Sequence, residues 1–148
     1  MPEPESPSGG PRSFEIRLPN RLEEAPRVHE AFARFLGSLP VSPRARLAFE
    51  IVLEELFANM VHHAFEDGQE HSVEFCFTLS GPDIRIDAVD GGRPFDPTSH
   101  PAPDVGRPIE ERPVGGLGVH MIRRSMDRIE YRREDGRNKL SLWRRWAD

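Results

Sequence analysis

From Ser42 to about residue 65 the chain encodes one long amphipathic helix, and this segment constrains the fold more than any other. Phe49, Val52, Leu53, Leu56 and Met60 recur at i, i+3, i+4, i+7 and i+11, which gathers apolar side chains into one stripe of a helix. Ser42 is a suitable N-cap, and Pro43 suits the first helical position, where a missing N–H costs nothing. Glu55, Asn59 and His63 are spaced four apart, so they stack along a different face of the same helix. One helix therefore carries both a packing surface and a polar file.

The layer it packs against is written in alternating segments. Phe14, Ile16 and Leu18 alternate with polar neighbours and predict a strand ending at Pro19. Val28, Phe32, Phe35, Leu36 and Leu39 predict a helix from about Leu22 to Pro40. Residues 71–79 and 83–90 alternate again and form a hairpin about Gly81-Pro82. A short helix over 117–126 and strands over 128–133 and 138–146, turning at Asp135-Gly136, complete the pattern. The fold class is α+β, a two-layer α/β sandwich with helices on one face of a mixed, mainly antiparallel sheet. Residues 93–114 are rich in proline and polar groups and longer than a mere connection, which reads as a lid over a binding site. Residues 1–12, with Pro2, Pro4, Pro7 and Pro11 among Glu, Ser and Gly, have too little apolar surface to fold and read as a mobile tail. That leaves 13–148 as one domain, a size that can bury a real core.

Composition removes several function classes. A net charge of −5 argues against a nucleic-acid partner, since phosphate backbones select basic surfaces. No apolar run approaches the roughly 20 residues a membrane helix needs, and no basic-then-apolar leader opens the chain, so a cytoplasmic protein is expected. Lys139 is the only lysine and follows Asn138 instead of ending a glycine-rich loop, which excludes a P-loop. Cys76, in the run Val73-Glu74-Phe75-Cys76-Phe77, has no partner for an internal disulfide and is expected to be a buried strand residue. The histidines show no metal-ligand spacing with carboxylates or the thiol.

Three short segments carry the chemistry. The Asn59 carbonyl is the kind of oxygen donor Mg²⁺ takes alongside phosphates, although alone it equally fits a polar side chain bonded to nearby backbone. Glu55, one turn earlier, stands where a carboxylate can take the proton of an attacking hydroxyl, or is an ordinary helical carboxylate. Its neighbour Glu54 points roughly 100° away around the helix, out of file with Asn59. Asp90 ends a strand and precedes Gly91-Gly92; a carboxylate there can accept from the adenine amino group, with Gly92 letting backbone approach the base, or the three residues form a plain turn. Gly115, Gly116 and Gly118 open a helix, where free N–H groups favour phosphate, or they form a flexible loop. Arg123 and Arg124 follow one turn on, as phosphate contacts or as exposed helical arginines.

Read together and in order, Glu55-Leu56-Phe57-Ala58-Asn59, Asp90-Gly91-Gly92-Arg93-Pro94-Phe95-Asp96 and Gly115-Gly116-Leu117-Gly118 resemble the N, G1 and G2 boxes of the GHKL-type, or Bergerat-type, ATP-binding fold of histidine kinases and their relatives. The Asp-x-Gly-x-x-Phe pattern is met by Asp90, Gly92 and Phe95. The compact size, and the acidic residue four before the asparagine, resemble the bacterial anti-sigma-factor serine/threonine kinases. That resemblance implies ATP and Mg²⁺ as cofactors, Glu55 as catalytic base, and Asn59 as Mg²⁺ ligand. It implies nucleotide binding by Asn59, Asp90, Gly92, Phe95, Gly115, Gly116, Leu117 and Gly118. It further implies a STAS-domain anti-anti-sigma protein as substrate, a sigma factor or other regulator held by partner switching, and a homodimer. His63 matches a histidine often seen after the asparagine, in a structural or lid-contacting role, while His62 faces solvent. Asn138 stands where relatives often carry a threonine near the nucleotide. The alternative is a non-catalytic ATP-dependent protein-binding module, from which the kinase reading differs in the sequence only through Glu55.

Overall fold

The computed structural model describes residues 12–99 and 116–147. Strand β1 (Ser13–Pro19) leads through a 3-10 turn at Leu22–Glu24 into helices α1 (Ala25–Leu36) and α2 (Pro43–His62). The hairpin of β2 (Ser72–Ser80) and β3 (Asp83–Asp90) follows, then a 3-10 turn at Pro97–Ser99, helix α3 (Gly116–Ser125), and a second hairpin of β4 (Arg128–Glu134) and β5 (Arg137–Arg145). Residues 1–11 of the expected tail, 100–114 of the expected lid, and Gly115 lie outside the described residues. Arg12, at the tail's inner end, donates to the Leu36 carbonyl at 3.1 Å and lies 5.2 Å from the Phe35 ring centroid.

Local chemistry explains where the helices start and stop. The Ser42 hydroxyl accepts from the Ala45 N–H at 3.1 Å, satisfying one of the orphan donors of the first turn of α2. Helix α1 closes at Gly37, whose φ of 54° suits glycine, and not at Pro40 as the apolar spacing predicted. Helix α2 stops at His62, short of residue 65, where His63 leaves helical geometry at φ −126°, and just beyond it the Ala64 carbonyl accepts the Arg93 N–H at 2.8 Å. The end of α2 is thus tied to the segment that follows β3.

The five strands lie in the order β1-β2-β3-β5-β4. Every pairing is antiparallel, so the parallel pair that a mixed sheet would contain does not form. The reason is topological. Strand β4 runs in the same direction as β3, but β5 folds back through Asp135 and Gly136, both at positive φ (52° and 74°), and inserts between them. Across the helix-bearing face, Asp90 on β3 is the register partner of Asn138 on β5, which in turn opposes Arg133 on β4.

One face of the sheet meets the helices. Val73, Phe75, Phe77, Ile84, Ile86 and Leu142 are almost fully buried against Phe32, Phe49, Val52, Leu53 and Phe57. Phe32 meets Phe77 edge-on, 5.1 Å between centroids and 75° between planes, and each such phenyl group contributes about 1.5–3 kcal/mol through burial. Helix α3 packs on α2 and buries Val119 and Ile122. The opposite face carries charge: Glu74 pairs with Arg17 and with Arg137, and Arg85 pairs with Asp87 at 3.0 Å. Cys76 points to this second face and is only partly buried, contrary to the expectation of a core position, because alternation gives the core to Phe75 and Phe77 on either side.

Candidate functional site

A cleft opens where the C-terminal half of α2 passes the ends of β3, β5 and β4. Asn59, His63, Asp90, Arg93, Phe95, Tyr131 and Asn138 line it, with Leu56, Met60, Ala88, Ile122 and Leu140 as apolar walls. Residues from all three of these strands and from α2 reach one cavity only because the fold brings them together. The Asp90 carboxylate, 9% exposed, receives two hydrogen bonds on the same oxygen: Oδ1 accepts from the Gly92 N–H at 2.9 Å and from Asn138 Nδ2 at 3.0 Å. Oδ2 makes no hydrogen bond among the described residues. The Asn59 side chain likewise has no hydrogen bond among the described residues; its backbone stays in the helix ladder, its carbonyl accepting the His63 N–H at 2.9 Å.

Arg93 staples the rim. Its Nε donates to the His63 carbonyl at 2.9 Å and its Nη1 pairs with Glu66 at 2.6 Å, fixing the start of the expected lid against the end of α2. Burial, reinforced by His62 and Arg93 nearby, pushes the His63 imidazole below its ordinary 6.5, so it faces the cleft as a neutral group at neutral pH. His62 is exposed, as expected.

Two glycines owe their identity to close approaches. A Cβ on Gly92 would stand 2.2 Å from the Ala64 carbonyl oxygen and 2.7 Å from its carbon. The missing side chain therefore makes room for Ala64 just past the end of α2, a packing reason for glycine beside the expected approach to a base. A Cβ on Gly118 would stand 2.3 Å from Oε2 of Glu55. The Glu55 carboxylate thus lies against the first turn of α3, which begins at Gly116 and Leu117. Glu54, the competing carboxylate, is exposed and pairs with His29 on α1 at 2.9 Å. Geometry therefore separates the two glutamates in the sense that the helical file predicted. Arg123 and Arg124 are exposed on α3.

The structure adds residues that the sequence did not single out as a cluster. Asn138 is 6% exposed and sits at the centre of the polar contacts beside Asp90, together with Tyr131 and Arg133. The available signal was the register that sets Asn138 opposite Asp90, which the strand order supplies and the linear spacing does not.

Comparison with known proteins agrees with the fold. Residues 18–144 match the family described as histidine kinase-like ATPase domain. The chain is 29% identical over 101 residues to the serine/threonine-protein kinase BtrW of Bordetella bronchiseptica, covering 68% of this chain and 71% of the relative. It is 30% identical over 131 residues to the serine-protein kinase RsbW of Bacillus cereus, covering 86% and 81%. Among solved structures, the RsbU and RsbW domains of a Mycobacterium tuberculosis protein superpose with a TM-score of 0.65 at 14% identity, over 90% of this chain and 32% of that one, which shows a shared fold. The chain belongs to the histidine kinase-like ATPase family and, within it, to the serine/threonine-protein kinase branch that these relatives represent. The resemblance to the histidine-kinase-type ATP-binding fold drawn from the three segments, and to the serine/threonine-kinase family drawn from the compact size and Glu55, is borne out.

Proposed function

We propose that the protein binds Mg-ATP in the α2–β3–β5 cleft, transfers the γ-phosphate to a hydroxyl of a STAS-domain anti-anti-sigma antagonist, and holds a sigma factor or similar regulator in an alternative complex. The observation that carries this reading is the Asp90 carboxylate, fixed through Oδ1 and open at Oδ2, in the same cleft as the unengaged Asn59 amide. An acceptor-only oxygen at the buried end of an apolar cavity suits the adenine amino group, with Phe95 at its mouth. Gly116, Leu117 and Gly118 at the start of α3, with Gly115 preceding them in the sequence, then supply backbone N–H groups for the phosphates.

Among the described residues no cluster of three or more His, Cys, Asp or Glu side chains could hold a metal. A lone amide oxygen nevertheless fits Mg²⁺, which keeps most of its shell as water and phosphate oxygens, so Asn59 would hold the ion and the ion would neutralise phosphate charge. Glu55, beside the first turn of α3, acts as base. The acceptor oxygen forms its bond to the γ-phosphorus as the bond to the β-phosphate bridging oxygen breaks, its proton passes to Glu55, and ADP leaves. Phosphate on the partner adds roughly two negative charges at the contact and releases it by repulsion and desolvation. A cytoplasmic homodimer is the form in which this exchange is proposed to operate.

The test replaces Glu55 with Gln. Transfer of γ-phosphate from labelled ATP to a STAS-domain substrate should fall by at least about 10²-fold with ATP affinity unchanged. Undiminished transfer would remove Glu55 from the role. ATP-dependent partner binding without any loss of γ-phosphate, in the wild type, would mark a non-catalytic module instead.

A further inference from the structure

Asn138 spends its whole hydrogen-bonding capacity on the adenine end of the cleft. Nδ2 donates to Asp90 Oδ1 at 3.0 Å and to the Arg93 carbonyl at 2.7 Å. Oδ1 accepts from the Tyr131 hydroxyl at 2.5 Å, from Arg133 Nη1 at 3.0 Å and, at longer range, from the Phe95 N–H at 3.4 Å. An amide has two donors and one acceptor oxygen with two lone pairs, so this set is saturated. Reversing the amide would turn its N–H groups onto the donors of Tyr131, Arg133 and Phe95, so the neighbours permit one orientation. Arg133 Nη1 also donates to the Gly92 carbonyl at 2.8 Å, which closes a ring of contacts through Gly92, Asp90, Asn138 and Arg133.

We propose that Asn138 is a positioning residue for nucleotide selectivity: its amide locks Asp90 with Oδ2 free as an acceptor and ties the 91–95 loop to that carboxylate. The inference rests on the Mg-ATP reading and deepens it. Adenine places an amino donor opposite Oδ2, whereas guanine places a carbonyl acceptor there, and two acceptors cannot pair. A site built around a fixed polar partner rejects the wrong partner far more strongly than an apolar wall does. Without the amide, Oδ1 keeps only the Gly92 N–H, the carboxylate can rotate, and the loop loses the two bonds it makes to Asn138 through the Arg93 carbonyl and the Phe95 N–H.

The test measures ATP and GTP affinity, by calorimetry and competition, and thermal unfolding for the full chain, for Asn138→Ala and for the near-isosteric Asn138→Asp. Loss of a hydrogen bond to a charged group is expected to lower ATP affinity roughly 10- to 100-fold, while GTP, which the fixed Oδ2 is expected to reject in the wild type, changes little, so the ATP/GTP ratio falls by about the same factor. Asn138→Asp sets a carboxylate against Asp90 and is expected to lose ATP binding at least as far, while its oxygens still receive Tyr131 and Arg133, so it carries the test if the alanine variant does not fold. A folded variant with wild-type ATP affinity and an unchanged ratio overturns the proposal. So does a parallel loss of both nucleotides with a lowered unfolding temperature, which is the mark of a purely structural residue. Wild-type protein that binds neither nucleotide overturns the functional reading and this inference with it.

Discussion

Gly118→Ala separates the placement of the base from the binding of nucleotide. Glycine inside a helix is less favourable than alanine by about 1 kcal/mol, and the Gly118 backbone has no positive φ that would forbid a side chain. On helix propensity alone the substitution should stabilise the protein. The added Cβ, however, would meet Glu55 Oε2 at 2.3 Å and Cδ at 3.3 Å, with Cγ already at 4.0 Å. Only the end of the side chain must yield, by on the order of 1 Å, a displacement that rotation about its terminal bonds accommodates at small cost. A misplacement of about 1 Å at a catalytic group costs on the order of 10²-fold in rate. The expected result is an unfolding temperature equal to or above that of the wild type, Mg-ATP affinity largely kept because alanine retains the backbone N–H proposed for the phosphates, and phosphate transfer lowered about 10²-fold. Wild-type transfer by Gly118→Ala would refute the assignment of Glu55 to the reacting hydroxyl, and an equal loss of ATP binding would show that the added methyl obstructs the phosphates themselves.

Gly92→Ala should behave oppositely, because its Cβ would meet backbone, the Ala64 carbonyl at 2.2 Å, which cannot swing aside; a loss of about 1–3 kcal/mol in denaturant unfolding is expected, as for other overpacked sites. Titration of His63 gives a pH signature. Its folded value lies below 6.5, so the unfolded chain takes up the proton first, and the stability associated with the neutral ring is present above 6.5 and is lost as pH falls through the folded value. The unfolding free energy of the wild type should therefore drop more between about pH 7.5 and 5.5 than that of His63→Gln, and parallel pH profiles would show that the ring is not held neutral.

Periodicity exposed most of the architecture because the core is laid down by repeating patterns. The stripe from Phe49 to Met60 and the alternation around Phe75 and Phe77 each have a period that names the element and its buried face. Sheet order was less legible, since the insertion of β5 between β3 and β4 depends on where a hairpin lands after a helix crossover. For the same reason the Asp90–Asn138–Arg133 file could not be seen in advance: its members are distant in sequence and meet through register. The glycine segments were legible as motifs, but not the cause of each glycine. Gly92 and Gly118 answer to Ala64 and Glu55, neighbours supplied by α2. Helix ends were misread because local spacing does not carry the tertiary contacts just beyond them, such as the Ala64 carbonyl accepting from Arg93.

Calorimetric titration of Mg-ATP into the wild type and into Asp90→Asn tests the central claim most directly. In the variant an amide must still offer its oxygen to the Gly92 N–H and to Asn138 Nδ2, which turns its own N–H groups toward the adenine amino donor. Saturable binding by the wild type, weakened roughly 10- to 100-fold or more in Asp90→Asn, is the predicted result. Equal affinity in the two proteins would contradict the assignment of Asp90 as the adenine acceptor, and with it the nucleotide site as drawn.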